Sequence, residues 1–429
     1  MAVAATDRHC RVSDWLGGRG ASPALRFGGR TVSYRELGRA VDEARLPDGA
    51  IGCAAGADPV ETAVTVLAAL DRGRAVLIGG GRADVAALGD AQAGILVRTS
   101  GSSGTARTIT RTSASWLASA APLAELTGTG PADRVAVTGP LHVSMHLYAT
   151  LHALWSGACA TDDVADASVV HATPTRLQRL LGEHDVPDTI VVAGAPLGEH
   201  AASRAASRGI RVVEYYGAAE LSFVAAGAGD GTLSPFPGVE VELRGDGRSR
   251  TVWARSPYLA DGYLGTPGAL RRDDRGFASV GDLAEPVAPG RFRVVGRGDA
   301  AITTAGATVL AEPIEAVVRD LPGVLEAVVV GVPDAVLGER VVAVVELADR
   351  GDPTAVAADV LEQAVRARLA PEEHPRRWYR ADRLPRTDGG KIARGEVHRL
   401  LAADGFTRLG SADEPRSEPP AAATSRAVR

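Results

Sequence analysis

Leu384-Pro-Arg-Thr-Asp-Gly-Gly-Lys391-Ile-Ala-Arg394 holds the one lysine among the chain's 47 lysines and arginines. Everywhere else a positive charge is supplied by arginine. Lysine is a compact point charge on a flexible four-carbon stem, whereas arginine is a planar fork. A solitary Lys391 behind two glycines therefore suggests a reaction centre that a guanidinium would not fit. The alternative is a surface loop that happens to carry a lysine, since short motifs do recur by chance.

Three further stretches could supply what such a lysine needs. Thr99-Ser100-Gly101-Ser102-Ser103-Gly104-Thr-Ala-Arg107 follows an apolar run ending at Arg98. Small residues let backbone N–H groups point at phosphate oxygens, hydroxyls add donors and a Mg²⁺ contact, and Arg107 adds charge. The spacing is not that of a Walker loop, and a flexible Ser/Gly turn is the other meaning. Glu214-Tyr215-Tyr216-Gly217-Ala-Ala-Glu220 ends a second apolar run. There an aromatic ring before a glycine turn can lie on a nucleobase, and a carboxylate four residues later can take a hard cation together with phosphate oxygens. Ser279-Val-Gly-Asp282 places an acid after a turn, suited to a ribose diol. Finally, Ile190-Val-Val-Ala-Gly194-Ala195-Pro196 is a strand entering a tight turn whose missing side chains would admit a flat ligand. Plain turns at strand ends are the alternative in each case.

These residues must be positioned by a chain of 429 residues with a formal net charge of -5. That balance, and the lack of a basic block interleaved with aromatics, argues against nucleic acid as partner. The scattered Cys10, Cys53 and Cys159 read as reduced thiols, with neither a disulfide frame nor a zinc site. No apolar run is long enough to span a bilayer, and Thr6-Asp-Arg-His is no signal peptide, so a cytoplasmic protein is expected. Phe27–Val32 reads as a short hairpin leading to Ser33-Tyr-Arg-Glu36, a capping box opening a helix to about Ala44. Strands are predicted at Ala75–Ile78, Gly94–Arg98, Arg134–Thr138, Ser168–Ala172, Thr189–Ala193, Ile210–Tyr215 and Val239–Leu243. Helices are predicted at Pro59–Asp71, Thr112–Leu126, Pro174–Gly182 and Glu199–Arg208. The alternation reads as an α/β fold with a largely parallel sheet.

After about Arg297 the texture changes to a small α+β module. Helices are expected at Ile314–Asp320 and Ala355–Leu369, strands at Val324–Val330 and Arg340–Leu347, then the lysine loop. The expected division is residues 1–296, a module over 297–408 joined at Gly296-Arg-Gly-Asp299, and a disordered tail over 409–429.

The Ser/Thr/Gly loop, Tyr-Gly-x-x-Glu, Gly-Asp-Leu, Gly-Arg-x-Asp and Pro-Arg-Thr-x-x-Gly-Lys-Ile-x-Arg occur in this order. Over about residues 25 to 405 the chain resembles the adenylate-forming superfamily of acyl-CoA synthetases, peptide-synthetase adenylation domains and luciferases. The resemblance implies a large multi-sheet N-terminal domain, a small mobile C-terminal lid and an ATP site between them. It implies that Thr99 to Arg107 wrap the β- and γ-phosphates and that Gly194, Ala195 and Pro196 line the adenine. Tyr216, flanked by Tyr215 and Gly217, would stack on the base. Glu220 would bind Mg²⁺, with Ser103 as a further contact, and Asp282 and Arg297 would hold the ribose. Asp299 would be the hinge, and Lys391 would meet the incoming carboxylate and the α-phosphate. Pro140-Leu141-His142 is similar to the segment lining the acid pocket, one residue short; a satisfied structural histidine is the other reading of His142.

Some positions depart from the pattern. The loop ends in Ala106-Arg107 where Pro-Lys is usual, and Ala219 and Val280 stand where the family carries hydroxyls, which bears on turnover more than on fold. The short chain and Ile302-Thr-Thr-Ala-Gly306 are most similar to compact CoA ligases such as the o-succinylbenzoate type. The implied reaction is activation of a carboxylic acid by Mg·ATP to an acyl-adenylate, then transfer to the CoA thiol. A carrier-protein phosphopantetheine or an amine is the alternative acceptor, and a nucleotide-binding homologue with impaired turnover is a third reading. A dinucleotide site at Ala75-Val-Leu-Ile-Gly79-Gly-Gly81 lacks the third glycine and an evident acidic ribose partner.

Overall fold

The computed structural model describes residues 11–86, 88, 93–99, 107–183, 185–297, 301–304, 307–348, 358–387 and 391–409. Four sheets organise them. The largest has nine strands. Its centre is parallel, running in spatial order through Arg211–Ala218, Thr189–Val192, Val169–Ala172, Arg134–Val137, Cys159–Thr161 and Pro23–Phe27. Antiparallel strands close both edges, Ser222–Gly227 with Ser234–Pro235 on one side and Arg30–Ser33 on the other. A second sheet runs Ile51–Cys53, Ala75–Ile78 and Gly94–Thr99 in parallel, then turns antiparallel through Arg107–Arg111 to Gly262–Leu264.

Local chemistry explains several elements. Ser33 caps the helix Tyr34–Glu43 by accepting from the Glu36 N–H, while the Glu36 carboxylate accepts from the Ser33 N–H, so two helix-end donors are satisfied reciprocally. The helix then buries Tyr34, Leu37 and Val41, spaced along one face. Asp58 caps the helix Pro59–Asp71, whose first residue is a proline that needs no N–H there.

The helix expected over Thr112–Leu126 is two, Ser113–Leu117 and Ala120–Thr127. Pro122 explains the break. It lacks the N–H that would bond back to Ala118, and its ring opposes a continuous turn there. The sheets are also more numerous than the strand–helix alternation implies. Residues 240–297 form a third, wholly antiparallel sheet of Glu240–Arg244, Arg250–Arg255, Arg271–Arg272, Ala278–Ser279, Asp282–Ala288 and Arg291–Arg297. Two of these strands are two residues long, too short to print a period-2 pattern on the sequence.

The fourth sheet holds Ala301–Thr304, Ala307–Leu310, Val324–Asp334, Gly338–Leu347, Arg377–Ala381 and Thr407–Leu409. Its two longest strands are apolar on both faces. Val329, Val341, Ala343 and Val345 pack under the helices Ala311–Arg319 and Ala358–Arg366. Val328, Val330, Val342 and Val344 face Val397 and Leu401 of the helix Arg394–Ala402. Side chains alternate across a strand, so one valine run serves two layers. Apolar residues up to Val294 and those from Ile302 onward gather in separate clusters. Among the described residues no helix is long and apolar enough to cross a membrane. Cys53 and Cys159 are free and buried, and burial raises both thiols above the ordinary range, Cys53 to about 11. Cys10, the expected hinge Asp299 and the tail from Gly410 lie outside the described residues.

Candidate functional site

Parallel strands that run side by side present their carboxyl ends at one edge of a sheet, the usual place for a ligand in an α/β fold. Here Val169–Ala172 and Thr189–Val192 end in register, Arg211–Ala218 runs four residues further, and two of the predicted stretches, Ile190–Pro196 and Glu214–Glu220, lie at or just beyond that edge. Gly194 leaves the middle strand at φ +96, a conformation an L side chain resists. The nearest atom to a Cβ built there, Thr173 Cγ2, is 3.9 Å away, so its glycine is a backbone requirement more than a packing one. Gly194 and Ala195 are exposed and Pro196 is half-buried, leaving the turn open to a flat ligand. The turn is tied to the next strand by Glu214, which accepts the Leu197 N–H at 3.2 Å. Burial raises that carboxyl above the ordinary carboxylate range, against the pull of its backbone donors.

In the last strand the register shifts between Tyr216 and Gly217. A Cβ at Gly217 would overlap the Ser222 carbonyl oxygen of the antiparallel neighbour, so only glycine allows the bulge. The bulge re-aims the side chains around it. Tyr216 donates its hydroxyl to Asp282 Oδ2 at 2.6 Å, joining two motifs that lie 66 residues apart. Asp282 is 6% exposed and pairs in register with Arg297. Tyr215 faces the other way, against Phe223 with ring centroids 4.6 Å apart, and burial raises its phenol far above the ordinary value. Of the two tyrosines, Tyr216 joins the Asp282 end and Tyr215 belongs to the aromatic core.

Glu220 comes next, half-buried, its Oε1 accepting the Tyr263 hydroxyl at 2.8 Å. The Ser/Gly loop joins two paired strands, with Thr99 in register against Arg107, so its ends meet. Ser100, Gly101, Ser102, Ser103 and Gly104 lie outside the described residues. The strand leaving that loop pairs with Gly262–Leu264, which carries Tyr263. The strand Arg107–Arg111 and Glu220 are thus linked through one short strand. Sequence reasoning missed Tyr263 and Glu214. The phenol reaches a carboxylate 43 residues away, and no local pattern announces that.

His142 follows the strand Arg134–Val137, a parallel neighbour of Val169–Ala172, and rests against the second sheet. Its Nδ1 accepts the Gly56 N–H at 3.4 Å, and a Cβ on Gly79 would stand 3.1 Å from its own Cβ. The glycine run Gly79–Gly81 has packing reasons of its own, since a Cβ on Gly80 would overlap the Leu77 side chain. The Gly81 N–H is taken by Asp84 Oδ2 at 2.8 Å, and Asp84 in turn pairs with Arg98 at 2.5 Å. That leaves this donor engaged rather than offered to a pyrophosphate.

Lys391 is exposed in a hairpin-like turn. Its carbonyl accepts the Thr387 N–H at 2.7 Å, and the Pro385 carbonyl accepts the Ala393 N–H at 2.9 Å. Arg394 anchors the turn, reaching Glu315 at 2.7 Å and the Val329 carbonyl at 2.7 Å. Just past the carboxyl end of the strand Val169–Ala172, Thr175 donates to Glu326, which is 3% exposed and also pairs with Arg386 at 3.2 Å and Arg319 at 3.7 Å. Thr175 stands at the start of the helix that leaves the strand Val169–Ala172. The segment carrying Lys391 therefore docks one helix away from the Gly194 turn.

Residues 313–391 match the family profile described as AMP-binding enzyme C-terminal domain. An uncharacterized acyl–CoA ligase of Bacillus subtilis, YhfT, is 30% identical over 338 residues, which are 71% of this chain and 67% of that protein. The chain belongs to the adenylate-forming, AMP-binding enzyme superfamily. A probable 2-succinylbenzoate–CoA ligase of Mycobacterium tuberculosis is 33% identical over 223 residues, 51% of this chain and 55% of that protein. The chain thus spans about two thirds of the first of these relatives and little more than half of the second. ATP-bound MatB from Rhodopseudomonas palustris superposes with a TM-score of 0.75 over 92% of this chain and 98% of that one, at 21% identity, which is agreement in fold. The architecture is that of adenylate-forming enzymes, a large multi-sheet α/β N-terminal part with a small α+β C-terminal part.

Proposed function

We propose that the chain is an AMP-forming acid–thiol ligase, activating a carboxylic acid with Mg·ATP to an acyl-adenylate and passing the acyl group to CoA. The observation that carries this reading is the convergence of Gly194–Pro196, the Tyr216–Asp282 pair and Glu220 at one strand edge, in a chain whose relatives are named acyl–CoA ligases. In it, Tyr216 stacks on adenine against the Gly194–Pro196 turn and Asp282, with Arg297, holds the ribose hydroxyls. The loop Thr99–Arg107 wraps the phosphates.

The donor set suits Mg²⁺. A magnesium ion bound with nucleotide needs one or two carboxylates, its other positions going to phosphate oxygens and water. Glu220 offers one carboxylate, with one oxygen already engaged by Tyr263; no group of three or more His, Cys, Asp or Glu that could hold a metal occurs among the described residues. When bound, the ion supplies charge compensation on the phosphate oxygens. Glu220 and Ser103 are the residues assigned to it.

The carboxylate substrate and the α-phosphate repel each other. Lys391, on a flexible stem, neutralises both as they approach, and the barrier is lowered by placed charge rather than by covalent chemistry on the protein. We assign the joint near Asp299 to the swing that carries Lys391 in for adenylation and out for thiol attack. Residues 1–296 form the adenylation part and 297–408 the lid. Cytoplasmic placement fits the expected small-molecule partners: acid, ATP and CoA.

The test is ATP–pyrophosphate exchange over a panel of carboxylic acids, followed by addition of CoA, a phosphopantetheinylated carrier protein or an amine. Acid-dependent exchange and CoA-dependent thioester support the proposal. Thioester on the carrier alone, or amide alone, moves the acceptor. One feature favours a second reading, a nucleotide-binding homologue with impaired turnover: Ala219 and the buried Val280 stand where hydroxyls are usual in the superfamily. Its mark is ATP binding with no exchange for any acid.

A further inference from the structure

Glu220 is held at two points, backbone and side chain, by one short segment. The Ala260 N–H donates to the Glu220 carbonyl at 2.9 Å, and the Tyr263 hydroxyl donates to the Glu220 carboxylate at 2.8 Å. Between them, the Asp261 N–H donates to the Thr110 carbonyl at 2.8 Å, on the strand that leaves the Ser/Gly loop. Tyr263 itself lies opposite Ile109 of that strand, with Leu264 opposite Thr108. The phenol has little freedom. Its oxygen accepts the Leu270 N–H at 3.3 Å, and its ring lies over Gly268, where a Cβ would overlap it.

We propose that Tyr263 is the positioning residue of Glu220, fixing which carboxylate oxygen turns toward the divalent cation that travels with the nucleotide. This rests on the assignment of Glu220 given above. The chemistry is simple. A carboxylate on a free rotamer offers either oxygen in many directions. A phenol anchored to the strand leaving the phosphate loop holds Oε1 and leaves Oε2 directed away from the phenol. A hydrogen bond to a charged acceptor is among the stronger ones a protein makes, and it orients as well as stabilises.

The experiment is a set of ATP titrations by calorimetry on the full chain, with limiting Mg²⁺ and with EDTA. It uses wild type, Tyr263→Phe, Glu220→Gln and the double variant. Tyr263→Phe keeps the ring and removes one oxygen. It is expected to weaken ATP binding about 10-fold at limiting Mg²⁺, equivalent to ~1.4 kcal/mol, and by less than about twofold in EDTA. Excess Mg²⁺ should recover most of the loss. In the Glu220→Gln background the same change should cost nothing further, because a residue acting through Glu220 has no effect without it. Equal weakening with and without Mg²⁺ would make Tyr263 a packing residue and overturn the proposal, as would a full effect in the Glu220→Gln background. Mg²⁺ dependence unaltered by Glu220→Gln would remove the assignment of Glu220 and this inference with it. Dependence lost in Glu220→Gln yet intact in Tyr263→Phe removes the inference alone.

Discussion

Changing Tyr216 to phenylalanine isolates the contact that joins the Tyr216 and Asp282 motifs. The ring stays, so stacking on a base is preserved, and only the hydroxyl that meets Asp282 Oδ2 at 2.6 Å is lost. Asp282 is 6% exposed, so water replaces the lost donor poorly. A hydrogen bond to a charged group contributes about 1.5–3 kcal/mol, and a buried acceptor left short of partners costs at the upper end. For a chain this large, about 2 kcal/mol corresponds to a fall in Tm of roughly 4–8 °C or less, since the shift per kcal/mol shrinks with size. If Asp282 holds the ribose, its reorientation should also raise the ATP dissociation constant about 10-fold while leaving acid affinity unchanged. Differential scanning calorimetry and ATP calorimetry on Tyr216→Phe, Asp282→Asn and the double variant form a cycle. The coupling should be at least about 1 kcal/mol. Additivity within ~0.5 kcal/mol would show that the pair does not act as a unit and would refute the reasoning.

The same geometry carries other expected outcomes. Gly217→Ala must push the Ser222 backbone away, and overpacking of this kind costs about 1–3 kcal/mol; an unchanged Tm in calorimetry would contradict the need for glycine at the bulge. His152 and His171 are buried, and desolvation lowers them to about 4 and about 3. The unfolded chain takes up protons near 6.5, and the native state takes them up only below those values, so stability should fall as pH drops from 6.5 toward 4. Chemical denaturation at pH 7.5 and 5.5 should show a loss of up to about 1.4 kcal/mol per histidine per pH unit, and a His152→Leu, His171→Leu double variant should flatten that slope. If Asp299 is the hinge, Asp299→Pro should spare pyrophosphate release and stop thioester formation in a two-stage assay, whereas equal loss of both would argue against a swinging lid.

How far the sequence could be read depended on whether a feature is local. Ser33 and Glu36 cap each other three residues apart, and Gly194 announces a turn whose positive φ favours glycine, so these were legible. The parallel strands Val169–Ala172, Thr189–Val192 and Arg211–Ala218 were legible because each carries an apolar run, whereas the three-residue parallel strands Ile51–Cys53 and Cys159–Thr161 were not. Of the third sheet only the strand expected at Val239–Leu243, found at Glu240–Arg244, was legible, because strands such as Arg271–Arg272 and Ala278–Ser279 are too short to show alternation and exist only through their partners. The helix break before Pro122 is masked in the sequence by an amphipathic pattern that spans it. Tyr215 and Tyr216 are adjacent and chemically alike. Only the bulge, which the sequence does not display, decides that one meets Asp282 and the other the core. Tyr263 carries no motif at all, and Glu214 opens one without a role in it; what each touches is set by tertiary distance.

The most direct measurement compares wild type with Lys391→Ala in two separated half-reactions. Removing an electrostatic contact to the reacting groups costs on the order of 100- to 1000-fold in rate. Acid-dependent pyrophosphate release from Mg·ATP should therefore fall by about that factor, while thioester formation from a pre-made acyl-adenylate and CoA proceeds at close to the wild-type rate. Pyrophosphate release at the wild-type rate in the variant would contradict the role given to the chain's one ammonium side chain, and with it the proposed chemistry.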